Sequence, residues 1–128
     1  MLRDAHAAAG DTFPFAFSMR HAVALASAHI ADPDKLALVV EGGVLLAAAQ
    51  QHPFADVKYA METVWWVDPE VRGGRLALQM LREYEEWARG QGCAFVQMAA
   101  LATFPRAGKI YERCGYRPTE THYLKELA

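Results

Sequence analysis

Apolar positions recur along this chain with different periods, and each change of period marks a change of element. Leu2 to Ala9 is short and Ala-rich, with weak helical character, and "GDTFPF" breaks the chain through Gly10 and Pro14. Ser18 is placed to cap a helix running from Met19 to about Ala31, whose apolar positions Met19, Ala22, Val23, Ala26 and Ile30 follow helical spacing. Pro33 in "ADPD" stops it, because proline disfavours helix at the preceding residue. In "KLALVVEGGVLLAAAQQ" two apolar runs flank a glycine pair, which predicts antiparallel strands Lys35–Glu41 and Val44–Gln51 joined by a type I′ turn at Gly42-Gly43. Lys58 to Val67, rich in β-branched and aromatic residues, predicts a third strand ended by Pro69. After Gly74 the period lengthens. Ala77, Met80, Leu81, Tyr84, Trp87 and Ala88 share one helical face, charged residues take the other, and Gly90 and Gly92 end the helix. Cys93 to Leu101 predicts a strand apolar on both faces, and Arg106 to Arg113 a short helix between Pro105 and Gly115. Tyr116 to Leu127 predicts one or two last strands.

A strand, a long helix and a further strand form a crossover, which requires a parallel pair within an otherwise antiparallel sheet. The expected fold is therefore α/β (α+β), a mixed and mostly antiparallel sheet with helices on its faces. At 128 residues the chain is expected to form a single domain, residues 1–128. Its 53% hydrophobic content is enough for a real core. Composition narrows the function mainly by exclusion. A formal net charge of -2 argues against broad nucleic-acid binding. No apolar run is long enough for a bilayer, no segment has a signal-peptide layout, and Cys93 and Cys114 do not suggest a disulfide framework, so a cytoplasmic setting with no membrane partner is the expectation. Both cysteines read as ordinary buried thiols, and the scattered histidines suggest no metal site.

Candidate chemistry concentrates where the third strand hands over to the long helix, at Arg72-Gly73-Gly74-Arg75. The first N–H groups of a helix lack intrahelical partners and, with the positive end of the helix dipole, can hold an anion. Glycines let a ligand approach the backbone, and arginine forks suit phosphate oxygens. The plainer alternative is a tight turn with solvated arginines. The turn is neither a Walker loop nor GxGxxG.

Together, "VDPEVRGGRLALQMLREYEEWARGQGC" and "AGKIYERCGY" resemble the GNAT superfamily of acyl-CoA-dependent N-acyltransferases, from about Lys35 to the C-terminus. In that family a loop of pattern (Gln/Arg)-x-x-Gly-x-(Gly/Ala) opens the main helix and holds the coenzyme A pyrophosphate. Here it reads Arg72-Gly73-Gly74-Arg75-Leu76-Ala77, with Arg75 at the usual central glycine and Gly74 one residue early. The resemblance implies a splayed central strand pair, in which Trp65 and Val67 offer main-chain groups to the pantetheine arm. It implies Tyr111 as the acid that protonates the departing thiolate, and Glu62 as a general base on the central strand. Phe104 stands near a place where the family often has asparagine.

The implied activity is transfer of an acetyl group from acetyl-CoA, as co-substrate without metal, to a primary amine on a small molecule or peptide by direct attack. A base must leave the amine neutral, and a tyrosine suits the thiolate because their reference pKa values, about 10 and about 8.5, lie close. Other readings stay open. Glu62 can be a solvated strand residue and Tyr111 a packing residue. The chain can be a non-catalytic acyl-CoA-binding or regulatory domain, or an unrelated α/β interaction module. Family members open with a strand that is short or missing here, which leaves Lys35–Glu41 as an edge for the N-terminal segment or a homodimer partner to cover.

Overall fold

A computed structural model describes residues 1–127 of the chain. Two helices come first, α1 (Leu2–Ala9) and α2 (Met19–Ala31). A hairpin follows, β1 (Lys35–Val40) and β2 (Gly43–Gln51), and then β3 (Lys58–Val67). The crossover helix α3 (Leu76–Gly90), the short strand β4 (Phe95–Gln97) and helix α4 (Arg106–Arg113) complete the order. The sheet runs β1-β2-β3-β4, antiparallel except for the β3/β4 pair, which is parallel. The expected mixed sheet with helices on both faces is therefore present.

The core lies between the sheet and α3. Leu45, Ala47, Ala60 and Val67 from the strands meet Met80, Tyr84 and Ala88 from the helix, all buried. The apolar stripe of α3 thus faces the sheet as its spacing requires. On the opposite face α1 packs on β3, and α2 on β1 and β2.

The hairpin turn differs from expectation. Val40 pairs with Gly43, so the two turn residues are Glu41 and Gly42, and only Gly42 has positive φ, at 86°. A type I′ turn needs positive φ at both positions, and Glu41 cannot take it cheaply. Gly43 instead enters β2, where an added Cβ would lie 2.7 Å from the Met80 sulfur. Helix α2 is rotated relative to its expected inner face. Met19, Val23 and Ile30 are exposed, whereas Ala22, Leu25 and His29 turn inward. His29 turns in because both ring nitrogens find partners there, the Leu25 carbonyl at 2.8 Å and the Thr63 hydroxyl at 3.2 Å.

Two corrections fall on the C-terminal half. The strand expected over Cys93–Leu101 is paired only from Phe95 to Gln97, and Phe95 is exposed. Beyond Gln97 the chain leaves β3, and the main chain of Ala99 bonds to side chains instead of to a ladder. The strands expected within Tyr116–Leu127 do not form among the described residues: the segment is irregular and almost wholly exposed. A three-residue β4 offers little edge for another strand to follow. Cys114 is exposed rather than buried. Among the described residues β1 is an edge strand with no strand on its outer side, and α2 packs against it.

Candidate active site

Strands β3 and β4 pair at Tyr59–Phe95, Ala60–Val96 and Met61–Gln97 and then part, leaving Glu62 to Val67 without a neighbour on that side. A β-bulge sits at the point of parting. Leu46 pairs with Val64 and Ala47 with Glu62, so Thr63 has no partner on β2. One extra residue reverses the alternation of side chains. It lets Ala60 and Glu62 before the bulge share the α3 face with Trp65 and Val67 after it. Past the bulge, the Asp68 N–H donates to the Gly42 carbonyl at 2.8 Å. By antiparallel alternation, the main-chain groups of Trp65 and Val67 then turn toward the gap that β4 has vacated.

Glu62 and Tyr111 meet in this gap through one residue. Glu62 Oε1 accepts from the Ala99 N–H at 3.1 Å, and the Tyr111 hydroxyl donates to the Ala99 carbonyl at 2.8 Å. Tyr111 arrives on α4 and is buried, its ring 5.7 Å from both Trp65 and Tyr116. Burial, only partly offset by the Ala99 hydrogen bond, raises the Glu62 carboxyl to about 7. Burial also pushes the Tyr111 phenol well above its ordinary value, helped by the nearby Glu62, Tyr116 and Tyr84 charges, so it remains protonated. The Glu62 carboxyl therefore exchanges a proton near neutral pH, whereas Tyr111 holds its own.

The raised carboxyl has a measurable cost. A carboxyl raised on folding favours the folded state at low pH, and that contribution is lost as pH rises from about 4.5 through about 7. Glu62→Gln keeps the shape and an acceptor for Ala99 but removes the charge. The variant is expected to match the wild type near pH 5 and to exceed it at pH 8 by on the order of 2 kcal/mol, less than full burial would give because Glu62 keeps partial exposure to the cavity. Denaturant midpoints at the two pH values read this directly, and equal stabilities at pH 8 would mean that the carboxyl is not perturbed.

The turn before α3 is partly as expected. Gly73 has φ of 84°, the left-handed region open to glycine, and a Cβ there would meet nothing within 4 Å. Arg75 is the N-cap of α3 and makes no side-chain cap, so the helix presents its first N–H groups, beginning at Leu76 and Ala77, without a side-chain partner. Gly73 and Ala77 line the cavity described next, whereas Gly74, Arg75 and Leu76 do not. Arg72 folds inward. Its Nε donates to the Val67 carbonyl at 2.8 Å, and its guanidinium lies 4.6 Å from the Trp66 ring centre and 5.1 Å from that of Phe104. Arg72 therefore bridges the mouth of the gap, and one lone pair of Val67 is already used.

A cavity of about 1520 Å³ runs through the gap and joins both faces of the sheet. It is lined by Glu62, Trp65, Val67, Arg72, Ala99 and Tyr111, and also by residues of the N-terminal segment. The buried indole Nε1–H of Trp65, one of its walls, has no hydrogen-bond partner among the described residues. Three contributors carry no sequence signal. Ala99 acts through its main chain, Thr63 through a bulge, and His29 through a contact with Thr63 made across 34 positions.

The sequence pattern of the Acetyltransferase (GNAT) family matches residues 2–116. The chain belongs to the GNAT family. No curated protein matches it. Among solved structures, a ribosomal-protein-alanine N-acetyltransferase from Brucella melitensis biovar Abortus 2308 is 16% identical with a TM-score of 0.63, over 78% of this chain and 74% of that one. A transcriptional regulator from Bacillus halodurans C-125 is 16% identical with a TM-score of 0.73, over 87% and 77%. The aminoglycoside N-acetyltransferase AAC(6')-Iy in complex with CoA is 14% identical with a TM-score of 0.69, over 86% and 88%. At such identities the likeness is one of fold. The GNAT chain described here shares that fold with proteins of different names, so its own site has to be argued from its own residues.

Proposed function

We propose that this GNAT chain, as one domain over residues 1–128, transfers an acetyl group from acetyl-CoA to a primary amine. The observation that carries the proposal is the meeting of Glu62 and Tyr111 on Ala99 within the gap between β3 and β4. The residues present suit acetyl-CoA on two counts. The N-terminus of α3, entered through the left-handed Gly73, is uncapped by any side chain, as a pyrophosphate site requires. The Trp65 Nε1–H is a buried donor without a partner beside Tyr111, and a carbonyl oxygen in the gap would satisfy it.

Arg75 and the N–H groups from Gly73 to Ala77, with Gly74 and Leu76 among them, would hold the pyrophosphate. Arg72 would release the Val67 carbonyl or share it. Trp65 and Val67 would face the pantetheine arm with their main chain. Acetyl-CoA supplies the activated carbonyl carbon and a thiolate as leaving group. Glu62 would take one proton from the incoming ammonium, leaving a neutral nitrogen to form the amide bond as the carbon–sulfur bond breaks, and the second N–H proton, lost as the amide forms, would replace the one that Tyr111 gives to the sulfur. Tyr111 would turn its hydroxyl proton from Ala99 toward the sulfur. Burial that raises the phenol raises a thiolate in the same pocket as well, which narrows the mismatch between them.

Release of free thiol from acetyl-CoA across a panel of amines is the test. Amine-dependent release supports the proposal, and CoA binding without release by any amine would favour a non-catalytic acyl-CoA-binding domain. Arg75→Ala removes a charged phosphate contact while leaving the core untouched, and is expected to weaken CoA binding about 10–100-fold. Unchanged affinity would move the pyrophosphate elsewhere.

A further inference from the structure

On the α1–α2 side the cavity has an aromatic wall that neither Glu62 nor the α3 turn explains. His6 of α1 lies with its ring 6.0 Å from Phe13, 5.4 Å from Phe15 and 5.7 Å from Phe17, and its Nε2 bonds the Phe15 carbonyl at 2.9 Å. The cluster is held together, yet Phe15 is 64% exposed and Phe13 37%. All four rings line the same cavity as Glu62. Two open phenyl rings facing a cavity carry an unfavourable hydration cost that an apolar ligand would relieve.

Charge in the cavity points the same way. Among the described residues that line it Glu62 is the only carboxylate, whereas Arg72, Arg106, Lys109 and Arg113 all line it. One ammonium can therefore be neutralised, at Glu62. Further ammonium groups on the same ligand would be desolvated without an anion and would meet like charges. Three other acids, Asp4, Asp68 and Glu70, line an adjoining cleft that shares only Trp66 and Pro69 with the cavity, and Asp68 already accepts from the Trp66 Nε1–H at 2.9 Å.

We infer, resting on the transferase reading above, that the acceptor is a primary monoamine carried on an aromatic or apolar body, seated against His6, Phe13, Phe15 and Phe17 with its nitrogen at Glu62. Polyamines and aminoglycosides are the class this cavity selects against.

The test is calorimetric titration of 2-phenylethylamine and of spermidine into the chain, with and without CoA, for the wild type and Phe15→Ala. Phe15 is exposed, so its truncation leaves the core intact. The expected result is 2-phenylethylamine binding at least ten-fold tighter than spermidine. Phe15→Ala is expected to lose about ten-fold or more in affinity for 2-phenylethylamine, and to leave CoA binding unchanged. Spermidine binding as tightly as 2-phenylethylamine, or an unchanged 2-phenylethylamine affinity in Phe15→Ala, would overturn the inference. The CoA arm keeps the two readings apart. Absence of CoA binding would count against the transferase reading alone, while the amine titrations would still decide the aromatic wall.

Discussion

Tyr111→Phe is expected to bind acetyl-CoA nearly as the wild type does and to turn over about 10²–10⁴-fold more slowly. The substitution removes one oxygen and keeps the ring that packs at a tilt against Trp65 and Tyr116, each 5.7 Å away. The hydrogen bond lost, 2.8 Å to the Ala99 carbonyl, leaves an acceptor on an exposed residue that water can reach. The effect should therefore fall on kcat and spare stability. Steady-state rates on an accepted amine, paired with CoA titrations, separate the possibilities. A wild-type rate would make Tyr111 a packing residue. A joint loss of CoA affinity and folding stability would make its hydroxyl structural.

Glu62→Gln is expected to have an equally large effect that depends on pH. An amine with a pKa of about 10.4 is neutral in only about one molecule in a thousand at pH 7.4, so a base is worth most where neutral amine is scarce. With the Glu62 carboxyl at about 7, wild-type activity should rise with pH up to about that value and then level. Without the base, the rate should follow the neutral fraction of the amine, climbing about ten-fold per pH unit until the amine itself titrates. The gap between the two enzymes should be about 10²–10³-fold near pH 7 and should close toward pH 10. A constant ratio across the range would remove Glu62 from proton transfer and leave it as the partner of the Ala99 N–H.

Elements with strong periodicity were legible before any coordinates. Lys58–Val67 and Arg106–Arg113 have their expected bounds, and the α3 pattern places Met80, Leu81, Tyr84 and Ala88 in the core. Elements whose form depends on a distant partner were not. The segment after Gln97 is apolar enough for a strand, but the Ala99 N–H and carbonyl are taken by Glu62 and Tyr111, so the ladder stops. The inner face of α2 is decided by His29 bonding Thr63, which hydrophobic spacing alone ranks below Met19 and Ile30. The glycine pair marked the hairpin correctly. Only strand register, with Val40 opposite Gly43, shows which glycine takes the positive φ.

The site divides in the same way. Glu62 and Tyr111 were singled out by resemblance, each at a family position on an element that formed as expected, and the fold brings both side chains to Ala99. Arg72 was read as a phosphate ligand from its type and place, yet its side chain turns back to the Val67 carbonyl and packs between Trp66 and Phe104. Charge and spacing could not distinguish those outcomes. The aromatic wall was invisible for another reason. Phe13, Phe15 and Phe17 sit in a stretch with no regular period, and they gain meaning only when α1 brings His6 among them.

The CoA site on which the transferase reading depends is tested most directly by calorimetric titration of the wild-type chain with CoA. The α3 N-terminus and the splayed β3 edge are expected to bind it at one site, with affinity reduced about 10–100-fold in Arg75→Ala. An absence of binding heat at saturating CoA, together with no rise in melting temperature, would contradict it.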